Sequence, residues 1–168
     1  MIAVRRLRND EGQVLRAVRL AALADAPGDS ATTLSRAEAH SDDHWETAAV
    51  ANASGPLQAT FLAEVGMVDE VDEPVGMVGA YANRDGVVNV VGLWAAPGHR
   101  DVGVAPALLD AVSDWGRANQ AHRLRIWVVE RNEFAQRFYE SVGFAATGEV
   151  MPYEPKPKLR QVEMTAAL

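Results

Sequence analysis

The sequence predicts an α/β fold built on a mixed, mostly antiparallel central sheet flanked by helices. Three strand-like runs follow one another between residues 57 and 96, with a tight-turn signal, Asn83-Arg84-Asp85-Gly86, joining the last two. After them the apolar period changes from two to 3.6, and two strand-to-helix passages follow in sequence. The expected element order is β-α-α-β-β-β-α-β-α-β-β.

Residues Ile2 to Leu7 alternate enough for a first strand. A helix follows, with Val14, Leu15, Val18, Ala21 and Ala22 at helical spacing, acidic residues in its first turn and Pro27-Gly28 as its stop. The polar stretch after it holds a second helix from about Asp42 to Ala51, with turn signals from Asn52 to Pro56. Then come LQATFLAEV, PVGMVGAYAN and GVVNVVGLWAA, three strands of an antiparallel meander, with VDEVDE as an exposed hairpin loop. In VAPALLDAVSDWGRA, Ala105, Leu108, Leu109, Val112 and Trp115 form one apolar stripe of a helix. RLRIWVV is a short strand, NEFAQRFYESVGF a helix closed by Gly143, and the tail runs through FAATGE and a proline-rich loop to a final strand, KLRQVEMTA.

A chain of 168 residues fits one domain, 1–168, which buries about two thirds of the surface exposed by the unfolded chain. The net charge of −7 argues against a nucleic-acid partner, because phosphate binding requires a basic face. No cysteine is present, which excludes a disulfide framework, a thiolate metal site and a cysteine nucleophile, and suits a cytoplasmic setting. The N-terminal residues lack the apolar run of a signal peptide, and no segment reaches membrane-spanning length, so no membrane partner is expected.

The joint PGHRDVGVAPALL, Pro97 to Leu109, carries the first chemical signal. A strand running directly into a helix leaves amide N–H groups unpaired at the positive end of the helix dipole, a site for phosphate oxygens. Arg100 adds a cation, Gly103 lets backbone approach a ligand, Ala105 stays small, and Pro106 costs nothing in a first helical turn. A P-loop is excluded, since Val104 and Ala105 stand where Lys and Ser/Thr would be needed. Taken alone, the joint could equally be an ordinary strand-to-helix turn.

The joint is followed, after one strand, by NEFAQRFYESVGF, and together the two segments resemble the GNAT (GCN5-related N-acetyltransferase) family. Its pyrophosphate-loop signature Q/R-x-x-G-x-G/A falls on Arg100, Gly103 and Ala105. Its later N-x-x-A-x-x-F-Y-x-x-x-G-F motif falls on Asn132, Ala135, Phe138, Tyr139, Gly143 and Phe144. The resemblance implies a GNAT-like fold over nearly the whole chain and an acetyl-CoA-dependent N-acetyltransferase, with acetyl-CoA as co-substrate.

It also implies roles by position. Leu93, Trp94 and Ala95 would lie on a splayed strand and pair their backbone with the pantetheine arm. The amides of Arg100, Asp101, Val102, Gly103, Val104 and Ala105, up to Pro106, would hold the pyrophosphate. Asn132 would bond the cofactor arm, and Tyr139 would serve as catalytic general acid near the thioester sulfur. Asn132 is equally a good N-cap and Tyr139 an aromatic on a core-facing stripe. Family members often carry a glutamate where Asn89 or Trp127 stands here; neither side chain can accept a proton from an ammonium, and Glu130 and His122, flanking the second of these strands, could act only through water.

The acceptor is a small-molecule amine or a peptide or protein amino group, and the family's dimers make a homodimer compatible with the sequence. A non-catalytic acyl-CoA-binding or regulatory module on the same fold is the alternative. His40 and His44, with two aspartates between them, have a spacing that could bind a metal, but Ser41 or an aspartate capping a helix accounts for the segment, and no metal is invoked. Trp45, Trp94 and Trp127 could be core or could line an acceptor cleft.

Overall fold

A computed structural model describes residues 1–28, 32–66 and 73–168. Its elements are β1 (Ile2–Arg6), α1 (Gly12–Asp25), α2 (Leu34–Glu38), α3 (Asp42–Ala53), β2 (Gln58–Val65), β3 (Gly76–Ala82), β4 (Val87–Ala95), α4 (Val104–Ala118), β5 (Arg123–Val129), α5 (Glu133–Ser141), β6 (Ala145–Pro152) and β7 (Arg160–Ala167). The expected order holds apart from one added element, α2. That single turn starts at Thr33, whose hydroxyl accepts from the Arg36 amide at 3.3 Å, and it buries only Ala37. An element with one inward residue leaves no apolar period to read. Most of the expected VDEVDE loop lies outside the described residues.

The acidic first turn expected of α1 is displaced, because the helix begins at Gly12, after Asp10 and Glu11. Glu11 binds Arg5 through two contacts of 2.8 Å, and these hydrogen bonds chiefly hold its carboxyl below the ordinary carboxylate range. Arg5 also donates to Glu64 of β2, so one arginine ties the start of α1 to β1 and β2.

Seven strands form one sheet in the order β1-β2-β3-β4-β5-β7-β6, and β4–β5 is its parallel pair, every other neighbouring pair being antiparallel. One face packs against α1 and α3, through Leu15, Val18, Leu23, Trp45, Leu62 and Met77. The other packs against α4 and α5, where Leu108, Val112 and Val104 are fully buried among Val78, Val88 and Val90. Each such side chain contributes roughly 1.5–3 kcal/mol relative to exposure. None of the described helices is long and apolar enough to cross a membrane.

Candidate functional site

The parallel pair β4–β5 is joined over three positions, Val87 with Arg123, Val88 with Leu124 and Asn89 with Arg125. Beyond them the strands part. The cause is visible on the other edge of β4: the β3 register runs from Gly79↔Val91 to Met77↔Trp94, so β4 spends one extra residue there. This bulge is centred on Gly92, whose φ of +61° is a conformation open to glycine, and a bulge bends and twists its strand. The backbone of β4 from Gly92 to Ala95 thus faces a cleft rather than β5. Two strands ending at the cleft, β4 and β5, each feed a helix that starts there, so the positive ends of α4 and α5 converge on it.

The predicted cofactor-binding residues are contiguous in this region. Leu93, Trp94 and Ala95 finish β4, and Arg100 to Gly103 form the turn into α4. Gly103 is the N-cap with φ +90°, and a Cβ there would meet only the Ile2 Cδ1 at 3.8 Å, so the backbone conformation rather than crowding within the protein calls for glycine. Among the described residues, none of the amides from Arg100 to Ala105 has a hydrogen-bond acceptor. Pro106 stands in the first turn, where the first intrahelical donor is Ala107, bonded to the Gly103 carbonyl at 3.1 Å. This donor set, at a helix N-terminus, fits a pyrophosphate.

Arg100 is held in place from outside the motif. Its Nε donates to the Ala95 carbonyl at 3.2 Å and its Nη2 is ion-paired with Asp25, which also accepts from the Trp94 indole at 2.9 Å. One carboxylate at the end of α1 therefore clamps both the strand and the loop. Asp25 carries no signal in the sequence, because only folding brings it to residues 69 and 75 positions away.

Asn132 caps α5, its side-chain oxygen accepting from the Ala135 amide at 3.0 Å. Tyr139 is buried in the α4–α5 core, with its ring edge-on to Phe138 and Phe144 at 5.2 and 5.4 Å. Both bland roles are thus occupied, and both residues belong to the helix that starts at the cleft. Trp45 is core, while Trp94 and Trp127 are partly buried.

On the α1 face of the cleft, Asn89 is buried and its Oδ1 accepts from Arg125 Nε at 2.8 Å. Arg125 also approaches Glu163 at 3.6 Å, and Glu163 sits opposite Trp127 in the β5–β7 register and accepts from Thr147 at 2.7 Å. A carboxylate thus stands beside Trp127 although none stands at it, a placement that sequence spacing does not reveal. Glu130 is exposed and bidentate with Arg160 at 2.8 and 2.9 Å. His122, also exposed, bonds the Asp85 carbonyl at the joined end of β4–β5, away from the cleft.

A separate groove of about 480 Å³ lies between α4 and the sheet, lined by Leu109, Ser113, Leu124 and Phe144 and by Asp110 and Asp114. Of the loop, only Pro106 reaches it, and Arg117, ion-paired with Asp114 at 3.4 Å, also lines it. At the start of α3, Ser41 is the N-cap, accepting from the His44 amide at 3.3 Å, and the rings of His40 and His44 stack at 3.7 Å. Burial first, then the His40 charge, lowers the His44 pKa. Among the described residues no group of three His, Cys, Asp or Glu is arranged to hold a metal.

Comparison with known proteins agrees with this fold. An acetyltransferase (GNAT) family model matches residues 22–144. No curated protein sequence matches. Among solved structures, a GNAT acetyltransferase from Streptococcus pneumoniae superposes with a TM-score of 0.79 at 18% identity, covering 100% of this chain and 99% of the other. A GCN5-related N-acetyltransferase from Kribbella flavida gives 0.73 at 21% identity, covering 99% and 98%. A Bacillus anthracis protein assigned as a streptothricin acetyltransferase, solved with acetyl coenzyme A, gives 0.60 at 16%, covering 70% and 66%. With the fold shared end to end and the family model running from the last turn of α1 to the residue before β6, the chain belongs to the GNAT family of acetyl-CoA-dependent acetyltransferases.

Proposed function

We propose that residues 1–168 act as a single N-acetyltransferase domain in the cytoplasm, moving the acetyl group of acetyl-CoA to a primary amine by direct attack. The amine nitrogen bonds to the thioester carbonyl carbon, the C–S bond breaks, the amine proton leaves to water, and the thiolate takes a proton from Tyr139, which water then reprotonates. The observation that carries this reading is the parting of β4 and β5 beside a turn whose amides, from Arg100 to Ala105, are unpaired among the described residues. In it, the β4 backbone from Leu93 to Ala95 aligns the pantetheine arm and polarises the carbonyl, the loop amides hold the pyrophosphate, and Asn132 steadies the arm.

The acceptor is a small-molecule amine or a peptide amino group, and a homodimer is compatible with the arrangement. Asn89 and Trp127, where a carboxylate would serve as base, favour one second reading: a module that binds acyl-CoA without turnover. Thiol release from acetyl-CoA in the presence of a broad amine panel separates the two, and the cysteine-free protein adds no thiol background. Release above the hydrolytic rate with any amine supports the enzyme. Tight CoA binding with every amine silent supports the module.

A further inference from the structure

Arg19 projects from α1 toward the bulge of β4, and its Nη1 lies 3.0 Å from the point a Cβ on Gly92 would occupy. The guanidinium is partly buried, and burial lowers its pKa. Other arginines in comparable surroundings are matched: Arg5 by Glu11 and Glu64, Arg6 by three backbone carbonyls, Arg125 by Glu163 and Asn89. Arg19 has no hydrogen-bond or ion-pair partner among the described residues. Asp25, the carboxylate on its own helix nearest the cleft, is committed to Arg100 and Trp94.

A second unmet donor lies on the same face of β4. With Asn89 Oδ1 fixed by Arg125, its Nδ2 is buried and has no acceptor among the described residues. Gly92 lies three positions after Asn89, roughly 10 Å along the strand. A cation and an amide donor, both drawn out of water and both lacking an acceptor among the described residues, cost free energy unless a ligand supplies one.

We propose that Arg19 recognises an anion in the acceptor pocket, and that the amine acetylated by this protein carries a carboxylate held by the Arg19 guanidinium. This rests on the acetyltransferase reading above. The planar fork of a guanidinium matches a carboxylate in two parallel hydrogen bonds, and the same charge repels the second ammonium of a polyamine. The site thereby opposes the bias of a chain whose net charge is −7, which by itself would gather cationic amines.

The test measures thiol release with glycine, β-alanine and 4-aminobutyrate, each beside its own carboxamide. For the best-fitting pair the wild type is expected to prefer the carboxylate about tenfold or more in kcat/KM, the size of one charge-assisted contact. In Arg19→Gln that ratio falls to near one, through KM rather than kcat, while Arg19→Lys, which keeps the charge, retains part of it. A wild type without preference, or a variant that lowers kcat equally for both members of a pair, overturns the proposal; the latter result would make Arg19 a group acting on the thioester. If CoA binds and no amine releases thiol, the catalytic reading has failed by itself. Anion recognition is then decided by calorimetric titration of the CoA-loaded protein with N-acetylglycine and N-acetyl-β-alanine: binding lost in Arg19→Gln sustains it, and equal or absent binding overturns it.

Discussion

At one end of the β4–β5 pair, Val87 to Asn89 lie in register with Arg123 to Arg125; at the other, β4 from Gly92 to Ala95 has no partner on β5. The joined end is closed by ordinary satisfied contacts. The His122 amide donates to Gly86, its ring bonds the Asp85 carbonyl, Leu168 donates back to the His122 carbonyl, and Val88 and Leu124 are buried beneath. The parted end gathers donors that have no acceptor among the described residues: the loop amides from Arg100 to Ala105, Arg19 and Asn89 Nδ2. In the proposed reading, packing at the joined end supports a parted end whose polar groups await a ligand.

The largest expected effect lies at the parted end. Gly103→Glu puts a carboxylate and a Cβ among the loop amides, and calorimetry is expected to find CoA binding abolished. The residue at φ +90° also loses about 1 kcal/mol of backbone energy, or ~2–4 °C in Tm. A folded variant binding CoA with unchanged affinity would remove the loop from the phosphate site.

Next is Tyr139→Phe, which keeps the ring contacts with Phe138 and Phe144 and deletes the hydroxyl. With chemistry rate-limiting, kcat is expected to drop roughly 10²-fold, with CoA affinity retained. Full kcat would leave Tyr139 as core alone.

Gly76→Ala tests whether the seat of α4 sets the cleft. A Cβ at Gly76 would stand 2.6 Å from Val104 Cγ1 and 2.9 Å from the Trp94 carbonyl, so α4 and β4 must move away from β3. The expected loss is about 1–3 kcal/mol in denaturant unfolding, and a neutral result would mean that the start of α4 yields freely.

The smallest effects belong to the two candidate proton acceptors at opposite ends. His122→Ala, at the joined end, and Glu130→Gln, already paired with Arg160, are each expected to lower kcat less than about tenfold. A thousandfold loss in either would identify a direct base and erase the contrast between the ends.

Most of the element boundaries are legible along the chain. α4 and β5 begin and end where the period changes, at Val104 and Ala118 and at Arg123 and Val129, because long amphipathic stripes and buried alternation are local patterns. The turn into α4 is legible for the same reason: its glycine, its arginine and its proline are neighbours. α2 escapes because one buried alanine makes no pattern.

The sequence by itself determined the layered α/β architecture, the phosphate-type turn and the helix that carries Asn132 and Tyr139, since each is written in residues no more than a dozen apart. Only the tertiary structure decided that Asp25 clamps Arg100 and Trp94, that Glu163 faces Trp127, and that Arg19 lies over Gly92 with no counterion among the described residues. Those pairings join residues up to 75 positions apart. A charge in a sequence has no address until packing, strand register and the hand of a bulge bring a partner to it or withhold one.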